Sequence, residues 1–292
     1  MKSNGGAHYD IEFSYQSRST DIIAVDADNR PFRDKNGRLL FRPGGHGALL
    51  KNLNNLKGDL VYIKNIDNVA PDHLKEPTFT CNRILGGYLV ELQQEVHHWL
   101  RVLREAVSED FLAQGEEFCR RRLFITLADT YQSWSGQDKR AYLLKKLRRP
   151  IRVCGMVPNT GEPGGGPFWV EGPDKGLSLQ IVEQAQVDFA DAGQDAIWRA
   201  ATHFNPVMLV CALRDEEGHP FDLRQYVDQD AYFISKKSKD GKVLKALELP
   251  GLWNGAMADW ITVFVEVPGA TFCPVKTITD LLRPEHQPKP QK

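Results

Sequence analysis

Polar residues of the types that bind metals and phosphates follow one predicted strand. The stretch "KNIDN" at 64–68 places Asn65 and Asp67 directly after the apolar run "LVYI". Open α/β sheets bind ligands beyond the carboxyl ends of their strands, where one carboxylate can hold Mg²⁺ while phosphates supply further ligands. A turn capped by its own polar side chains is the alternative, and these residues alone leave both interpretations open.

Glycines lie between a predicted strand and the helix that precedes this stretch. The segment "RPGGHG" at 42–47 separates an apolar pair from the helical pattern "ALLKNLNNL". Glycine lets the backbone approach a ligand closely, and a helix start presents free N–H groups. The segment matches neither GxGxxG nor a phosphate-binding Gly-Lys-Ser/Thr loop, so a tight structural turn explains it equally well.

Three further candidates favour structural explanations. The segment "VDAD" gives Asp26 and Asp28 the Asp-x-Asp spacing with which glycosyltransferases hold a metal, but turn residues surround it. The glycine-rich segment at 161–176 includes prolines, which lack N–H donors, so we expect a shaping loop. His97 and His98 project about 100° apart on a helix and cannot easily share one metal.

The segment "TFCPVKTITDLL" at 271–282 is the most specific one in the chain. Its Lys276 follows Pro274 and Val275, so we expect an ordered turn that holds the ammonium in place. Such an ammonium can act as a point charge on a phosphate group.

Composition excludes several classes of function. The 292 residues are 41 % hydrophobic and carry a formal net charge of −1, so no overall field attracts nucleic acid or an anionic membrane. Five cysteines without a CxxC pair favour reduced thiols and a cytoplasmic location. No apolar run approaches the roughly 18 residues that a membrane span requires.

Hydrophobic periodicity predicts the elements that position these residues. Alternation over 9–16 predicts a strand, so that the chain opens inside a sheet. Residues 22–41 predict a hairpin with one long polar tip, and "DLVYIKNI" predicts an interior strand. Helical periodicity over 83–122, with a break near Gly115, precedes a second helix over 135–150.

Strand patterns return after Pro150, and the order of strands, helices and strands predicts an α/β domain with a mixed sheet. We expect one domain over 1–282, a helical insertion over 83–150 and a flexible tail over 283–292.

Several segments resemble motifs of the UTP:sugar-1-phosphate uridylyltransferases, the UDP-glucose pyrophosphorylase family. "TFCPVKTITDLL" resembles "RFxPVKTTxDLL" of that family. Six collinear segments are similar to others: "SYQSRS" to "NQSR", "RPGGHGALL" to "PPGHGDIY", "VYIKNIDNVAP" to "IFVSNIDNLGA", "SLQIVEQAQVD" to "LLEIAQVP", "HFNPVMLV" to "FNTNNLWV" and, more loosely, "LKALELPGLWNGA" to "xxLETAxGxA". The whole chain also resembles the C-terminal part of a bacterial family that carries only a domain-of-unknown-function label, number 4301.

The resemblance implies a mostly parallel, Rossmann-like nucleotidyltransferase sheet and a role for individual residues. Gln16, Gly45 and His46 would lie against the uracil base of UTP or a UDP-sugar. Asp67 would ligate Mg²⁺, and Asn65 would lie near the sugar phosphate.

The resemblance also implies how the sugar 1-phosphate is held. Glu183 and Asn205 would hydrogen-bond sugar hydroxyls, and Lys276 would contact phosphates during transfer. Nucleotidyl transfer requires mainly positioning and charge neutralisation from the protein, which suits these residue types. Neither the sugar nor the base is fixed by the sequence.

Two departures from the family's pattern bear on activity. Known members have a glycine-rich, basic loop upstream of the "NQSR" strand, whereas here only thirteen residues precede Ser14. Ala48 stands where the family's "PPGHGD" has aspartate. We therefore expect an incomplete N-terminal side of the sheet, an exposed edge through which copies associate, and no activity of this chain alone. A non-catalytic sugar-nucleotide-binding module and a glycosyltransferase remain as alternatives.

Overall fold

A four-stranded sheet and three long helices that share one hydrophobic core with it form the centre of the fold. The computed structural model describes residues 9–105, 108–161 and 164–287. The helices are α1 (Leu50–Leu56), α2 (Glu76–Glu105), α3 (Glu109–Arg122), α4 (Gly136–Leu147) and α5 (Ala192–Arg199). The strands are β1 (Ile22–Ile23), β2 (Phe41–Arg42), β3 (Leu60–Lys64), β4 (Ile151–Pro158), β5 (Gly166–Glu171), β6 (Leu177–Val182), β7 (His203–Ala212), β8 (Phe233–Lys239), β9 (Lys242–Glu248) and β10 (Ile261–Glu266).

The central sheet has the strand order β10-β4-β7-β3. β10 and β4 are parallel, and β7 runs antiparallel to both β4 and β3. Three strands therefore point in one direction, although two of the three pairings are antiparallel. β4 and β7 are almost entirely buried, as expected for continuous apolar runs covered on both faces. The predicted mixed α/β class is confirmed.

Helix α2 packs on β4 and β7, α3 and α4 pack on α2, and the three helices share one core with the sheet. The buried stripe of α2 recurs at three- and four-residue steps and includes Leu85, Leu89, Leu92, Val96, Leu100 and Leu103. The side-chain oxygen of Ser135 accepts the N–H of Asp138 at the start of α4, as the sequence predicted.

The expected break in the first helical segment lies elsewhere than predicted. α2 ends at Glu105 and α3 begins after Ser108, whose side chain caps it; residues 106 and 107 are outside the described ranges. Gly115 lies buried within α3, where a Cβ atom would be 3.5 Å from Leu143. A helical glycine at this position allows close packing between helices, so the break predicted at Gly115 is wrong.

Two strand predictions near the N-terminus are also wrong. Residues 9–16 form no strand, and the alternating Phe13 and Tyr15 are each 85 % exposed, because no described strand pairs with them. β3 is not interior: it lies at the edge of the described sheet and alternates between half-buried and exposed side chains, with Tyr62 half exposed. The apolar run of β3 therefore does not mark a strand that is covered on both faces.

Residues 22–42 contain two successive turns instead of one long tip. Asp26 N–H donates to Arg30 in the first turn, and Asp34 N–H donates to Arg38 in the second. The β8–β9 hairpin joins this region through mutual backbone bonds between Val25 and Lys245. No described helix is long and apolar enough to cross a membrane. All five cysteines are buried and unpaired, as expected.

The expected tail lies partly beyond the described residues. Residues 284–286 form a short 3-10 helix, and residues 288–292 fall outside the described ranges.

Candidate functional site

One edge of the central sheet gathers the polar residues singled out by the sequence. β3, β4 and β10 end at this edge and the antiparallel β7 begins there, as the pairings of Lys64 with Met208 and of Pro158 with His203 require. We call it the carboxyl edge. Ligands of open α/β sheets bind at such an edge.

The turn after β3 is clamped to the segment that contains Lys276. Asn68 is buried, and its side chain accepts the Cys273 N–H at 2.8 Å and donates to the Thr271 carbonyl at 3.2 Å. The Val275 N–H donates to the Asp67 carbonyl at 2.7 Å. Two segments separated by about two hundred residues therefore lie side by side.

This clamp leaves two opposite charges without partners. In the described ranges nothing hydrogen-bonds the Asp67 carboxylate or pairs with the exposed Lys276 ammonium. The turn that holds Lys276 is itself fixed, because the Asp280 carboxylate accepts the backbone N–H groups of Lys276 and Thr277. These N–H groups also lower the pKa of Asp280.

Asn205 lies on a bulge at the start of β7. The register with β4 shifts here, and Val207 has a φ of 56°, which is rare for a β-branched residue. The Asn205 side-chain oxygen accepts the Val207 N–H at 3.0 Å and so stabilises the bulge. Among the described residues no group bonds its amide nitrogen, although only 4 % of Asn205 is exposed.

Glu183 is connected to Asn205 through the glycine-rich loop. The Asn205 N–H donates to the Gly165 carbonyl at 2.8 Å. A Cβ atom on Gly165 would lie 2.9 Å from the Val182 carbonyl and 3.0 Å from Glu183, so only glycine fits between them. Residues 162 and 163 of this loop are outside the described ranges.

His46 and Glu183 meet at Trp253. The His46 ring stacks on Trp253 at a centroid distance of 4.3 Å, and the Trp253 indole N–H donates to Glu183 Oε1 at 3.0 Å. His46 Nδ1 accepts the Leu252 N–H at 3.0 Å, so the neutral ring carries its proton on Nε2. Burial lowers the pKa of His46, and the nearby Glu183 and Glu248 carboxylates only partly oppose this effect.

The glycines before α1 serve the chain's own packing. A Cβ atom on Gly47 would lie 2.0 Å from the Pro250 carbonyl oxygen, and one on Gly45 would lie 2.9 Å from the Glu248 carboxylate. The structural-turn interpretation therefore explains Gly47, while Gly45 adopts a φ of 75° that favours glycine.

Gln16 lies close to the glycine turn that contains His46. Its amide donates to Thr20 at 3.3 Å, and the Thr20 carbonyl is 3.0 Å from the position of a Cβ atom on Gly44. Asn52 on α1 donates to the Tyr15 carbonyl at 3.0 Å. Residues 14–20 therefore pack beside α1 and the glycine turn.

A buried arginine supports the Trp253 segment. Arg152 is completely buried and donates to the Trp253 carbonyl at 2.5 Å, to Thr262 at 2.8 Å and to Gln180 at 3.1 Å. No carboxylate of the described residues pairs with it. No sequence pattern singles out Arg152, whereas Trp253 lies within "LKALELPGLWNGA".

A cluster of two carboxylates and a histidine lies at the opposite edge of the sheet, which we call the far edge. Asp215, Glu217 and His219 place one ligand atom each within 4.8 Å of one another, in the turn after β7. β7 begins at the carboxyl edge, so this turn lies at its far end. The Asp215 carboxylate already accepts the N–H groups of Glu217 and His219 and a bond from Arg148.

These features define an α/β domain with a mixed sheet and a polar carboxyl edge. The model of the DUF4301 family, described as a domain of unknown function, matches residues 1–287, and the chain belongs to this family. No curated protein sequence matches the chain.

Two solved structures illustrate what the chain resembles. UDP-glucose pyrophosphorylase from Leishmania major, solved as a mutant with UDP-glucose, is 18 % identical with a TM-score of 0.44 over 90 % of this chain and 46 % of that one. UDP-glucose phosphorylase from Trypanosoma brucei is 16 % identical with a TM-score of 0.46 over 90 % and 45 %. The chain spans less than half the length of either.

Proposed function

We propose that this chain is the nucleotidyltransferase-like part of a protein that transfers UMP between UTP and a sugar 1-phosphate. In the forward direction a phosphate oxygen of the sugar 1-phosphate bonds to the α-phosphorus of UTP, and pyrophosphate leaves. The observation that carries the proposal is the clamp between the Asp67 turn and the Lys276 turn, which brings unpaired opposite charges to the carboxyl edge. We infer that the chain alone binds nucleotide without turnover.

Asp67 suits a magnesium ion. Mg²⁺ is usually held by one or two carboxylates together with phosphates and water, and the Asp67 carboxylate has no partner among the described residues. When bound, the ion would neutralise phosphate charge as it develops during transfer. Asn65, two residues before Asp67, would bond the sugar phosphate.

Lys276 supplies the other charge. Its capped turn fixes the backbone while the ammonium stays exposed, so it can reach a phosphate without first breaking an ion pair. An opposite charge held in place before the reaction lowers the barrier more than one that must be reorganised.

The remaining residues would recognise the base and the sugar. His46 is kept neutral and oriented by Leu252 and Trp253, so it can pack against an uncharged base beside Gln16 and Gly45. The Glu183 carboxylate accepts the Trp253 indole N–H and the Gln186 backbone N–H and has further lone pairs, and Asn205 keeps its amide N–H groups. These are an acceptor and a donor for sugar hydroxyls.

Thermal unfolding with ligands tests the proposal. The purified chain is heated with Mg²⁺ and UTP, ATP, GTP, UDP-glucose or UDP-N-acetylglucosamine, and binding at a hundred times Kd adds about 2.7 kcal/mol. We expect stabilisation by uridine ligands alone, lost in Asp67→Ala.

Other outcomes of this panel discriminate the alternatives. Binding lost in Asp26→Ala but kept in Asp67→Ala would favour a glycosyltransferase. Binding without turnover after the upstream segment is restored would favour a non-catalytic module, and no stabilisation by any nucleotide would contradict the proposal.

A further inference from the structure

An aromatic groove lies next to the Glu183 and Asn205 region and has no role in the assignments above. Its larger part is a cavity of about 440 Å³ lined by Gln184, Phe189, Asp195, Trp198 and Arg199. A smaller cavity of about 100 Å³ is also lined by Gln184 and Trp198 and reaches Gly164, Gly165, Phe168 and His203. We call the two together the Trp198 groove.

The indole of Trp198 forms the wall that both cavities share. Phe168 stacks parallel to it at 5.4 Å, and Phe189 meets it edge-on at 6.1 Å. Trp198 is half-buried on α5, so these contacts fix the ring while part of it faces the cavities. A fixed aromatic wall binds flat apolar surfaces at low conformational cost.

Hydrogen-bonding groups surround this apolar wall. Gln184 directly follows Glu183 and is exposed, and Arg199 Nε bonds both Asp195 oxygens at 2.8 and 2.9 Å. The Arg199 guanidinium keeps other donors for a ligand. An apolar wall with amide, carboxylate and guanidinium groups around it is the usual make-up of a site for a polar ring with an apolar face.

The groove adjoins the proposed sugar contacts. Gly165, which lines it, accepts the Asn205 N–H and packs against Glu183. Gln184, which lines both cavities, directly follows Glu183, so the groove begins next to the proposed sugar contacts.

We propose that the Trp198 groove binds the pyranose ring of the sugar. The C–H groups on one face of the ring pack on the Trp198 indole, and its outer hydroxyls bond Gln184 and the Asp195–Arg199 pair. A pyranose fits this groove because it combines an apolar C–H face with hydroxyls around its rim. This inference rests on the proposed function, since it places the sugar of the same substrate.

Binding of UDP-glucose and of UDP to Trp198→Ala tests the inference by isothermal titration calorimetry. UDP lacks the sugar, so it reports the nucleotide contacts alone. We expect Trp198→Ala to weaken UDP-glucose about tenfold and to change UDP less than about twofold. Trp198→Phe keeps an aromatic wall and should recover part of the loss. Trp169→Ala is the matched control, because Trp169 is exposed on β5 and lines neither cavity.

The inference would be overturned if Trp198→Ala lowered the affinities for UDP and UDP-glucose equally, or lowered neither. Nucleotide binding by the unchanged chain would still support the proposed function. If the unchanged chain binds neither nucleotide, the proposed function fails, and glucose 1-phosphate becomes the probe. Saturation-transfer NMR signals from glucose 1-phosphate that vanish in Trp198→Ala would then support a sugar groove, and their absence in the unchanged chain would refute it.

Discussion

The two edges of the central sheet carry charged residues in opposite states of pairing. At the far edge the buried Glu216 carboxylate pairs with Arg104 and lies 3.9 Å from Arg148, while Arg148 also bonds Asp215. At the carboxyl edge Asp67 and Lys276 have no side-chain partners within the described ranges.

The difference separates a structural cluster from a candidate site. A folded protein pairs most of its buried charges internally, as the far edge pairs Glu216 with Arg104, because an unpaired buried charge lowers stability. Charged groups without partners, such as Asp67 and Lys276, are available to a ligand. Counting acidic residues alone would have selected the far edge, since it holds the Asp215, Glu217 and His219 group.

The largest effect on activity is expected from a substitution at the carboxyl edge. We expect Lys276→Ala to lower uridylyl transfer in the parent protein about a hundredfold or more, because it removes a fixed charge that stabilises the transition state. Steady-state assays with UTP and glucose 1-phosphate measure it. Chemical denaturation should show unchanged stability, and Lys242→Ala, an exposed lysine on β9, should leave turnover intact. A lower midpoint for Lys276→Ala would make the residue structural.

Arg104→Ala tests the far edge. It removes one partner of the buried Glu216 carboxylate, and since Arg148 remains nearby we expect a loss of about 2 kcal/mol in the free energy of unfolding. Urea denaturation measures this loss, while nucleotide affinity should stay unchanged. Arg120→Ala breaks an exposed ion pair on α3 and should cost about 0.5 kcal/mol or less. A loss of nucleotide affinity in Arg104→Ala would contradict the assignment of a purely structural role to the far edge.

Protonation of His46 should lower the stability of the protein as the pH falls. The folded pKa of His46 lies below its ordinary value of 6.5, mainly because of burial, so the unfolded chain takes up the proton first as pH falls. The His46 contribution to stability is complete above pH 6.5 and is lost as pH falls through the folded pKa. Urea denaturation from pH 7.5 to 5 should show a steeper decline for the natural chain than for His46→Phe, which cannot titrate. Parallel declines would show that His46 does not contribute.

The smallest expected effect concerns the Asp-x-Asp segment. The Asp28 side chain is exposed without a partner in the described residues, and Asp26 accepts the N–H groups of Asp28 and Arg30 within its own turn. We expect Asp28→Ala to change stability by less than about 0.5 kcal/mol and to leave nucleotide affinity unchanged. A marked loss of sugar-nucleotide binding in calorimetry would revive the glycosyltransferase alternative.

The sequence predicts elements with strong periodicity better than it predicts sheet position. α2, α4, β4, β7 and β10 are present as expected, since their patterns are long and uninterrupted. The β8–β9 hairpin was missed although Asp240 and Gly241, both at positive φ, form its turn. Asp-Gly between alternating residues is a strong hairpin signal. The 9–16 strand was wrong because pairing depends on a neighbour that local alternation cannot reveal.

Some residues of the candidate site are likewise recognisable from the sequence, and others are not. Polar groups directly after β3 were recognisable, because strand ends are a known location for ligands. The contacts that assemble the site cannot be recognised from the sequence. The Asn68 clamp and the stack of His46 on Trp253 join segments about two hundred residues apart. Arg152 looks like an ordinary strand residue until its buried contacts are seen.

The pairing of β3 with β7 has a consequence for synthesis of the protein. Leu60 pairs with Ala212, so the apolar run of β3 leaves the ribosome about 150 residues before its partner. At roughly 5–20 residues per second, β3 waits on the order of ten to thirty seconds with both of its edges unpaired. Its lone described partner strand arrives late, so β3 is the strand whose exposure during translation holdase chaperones would have to cover.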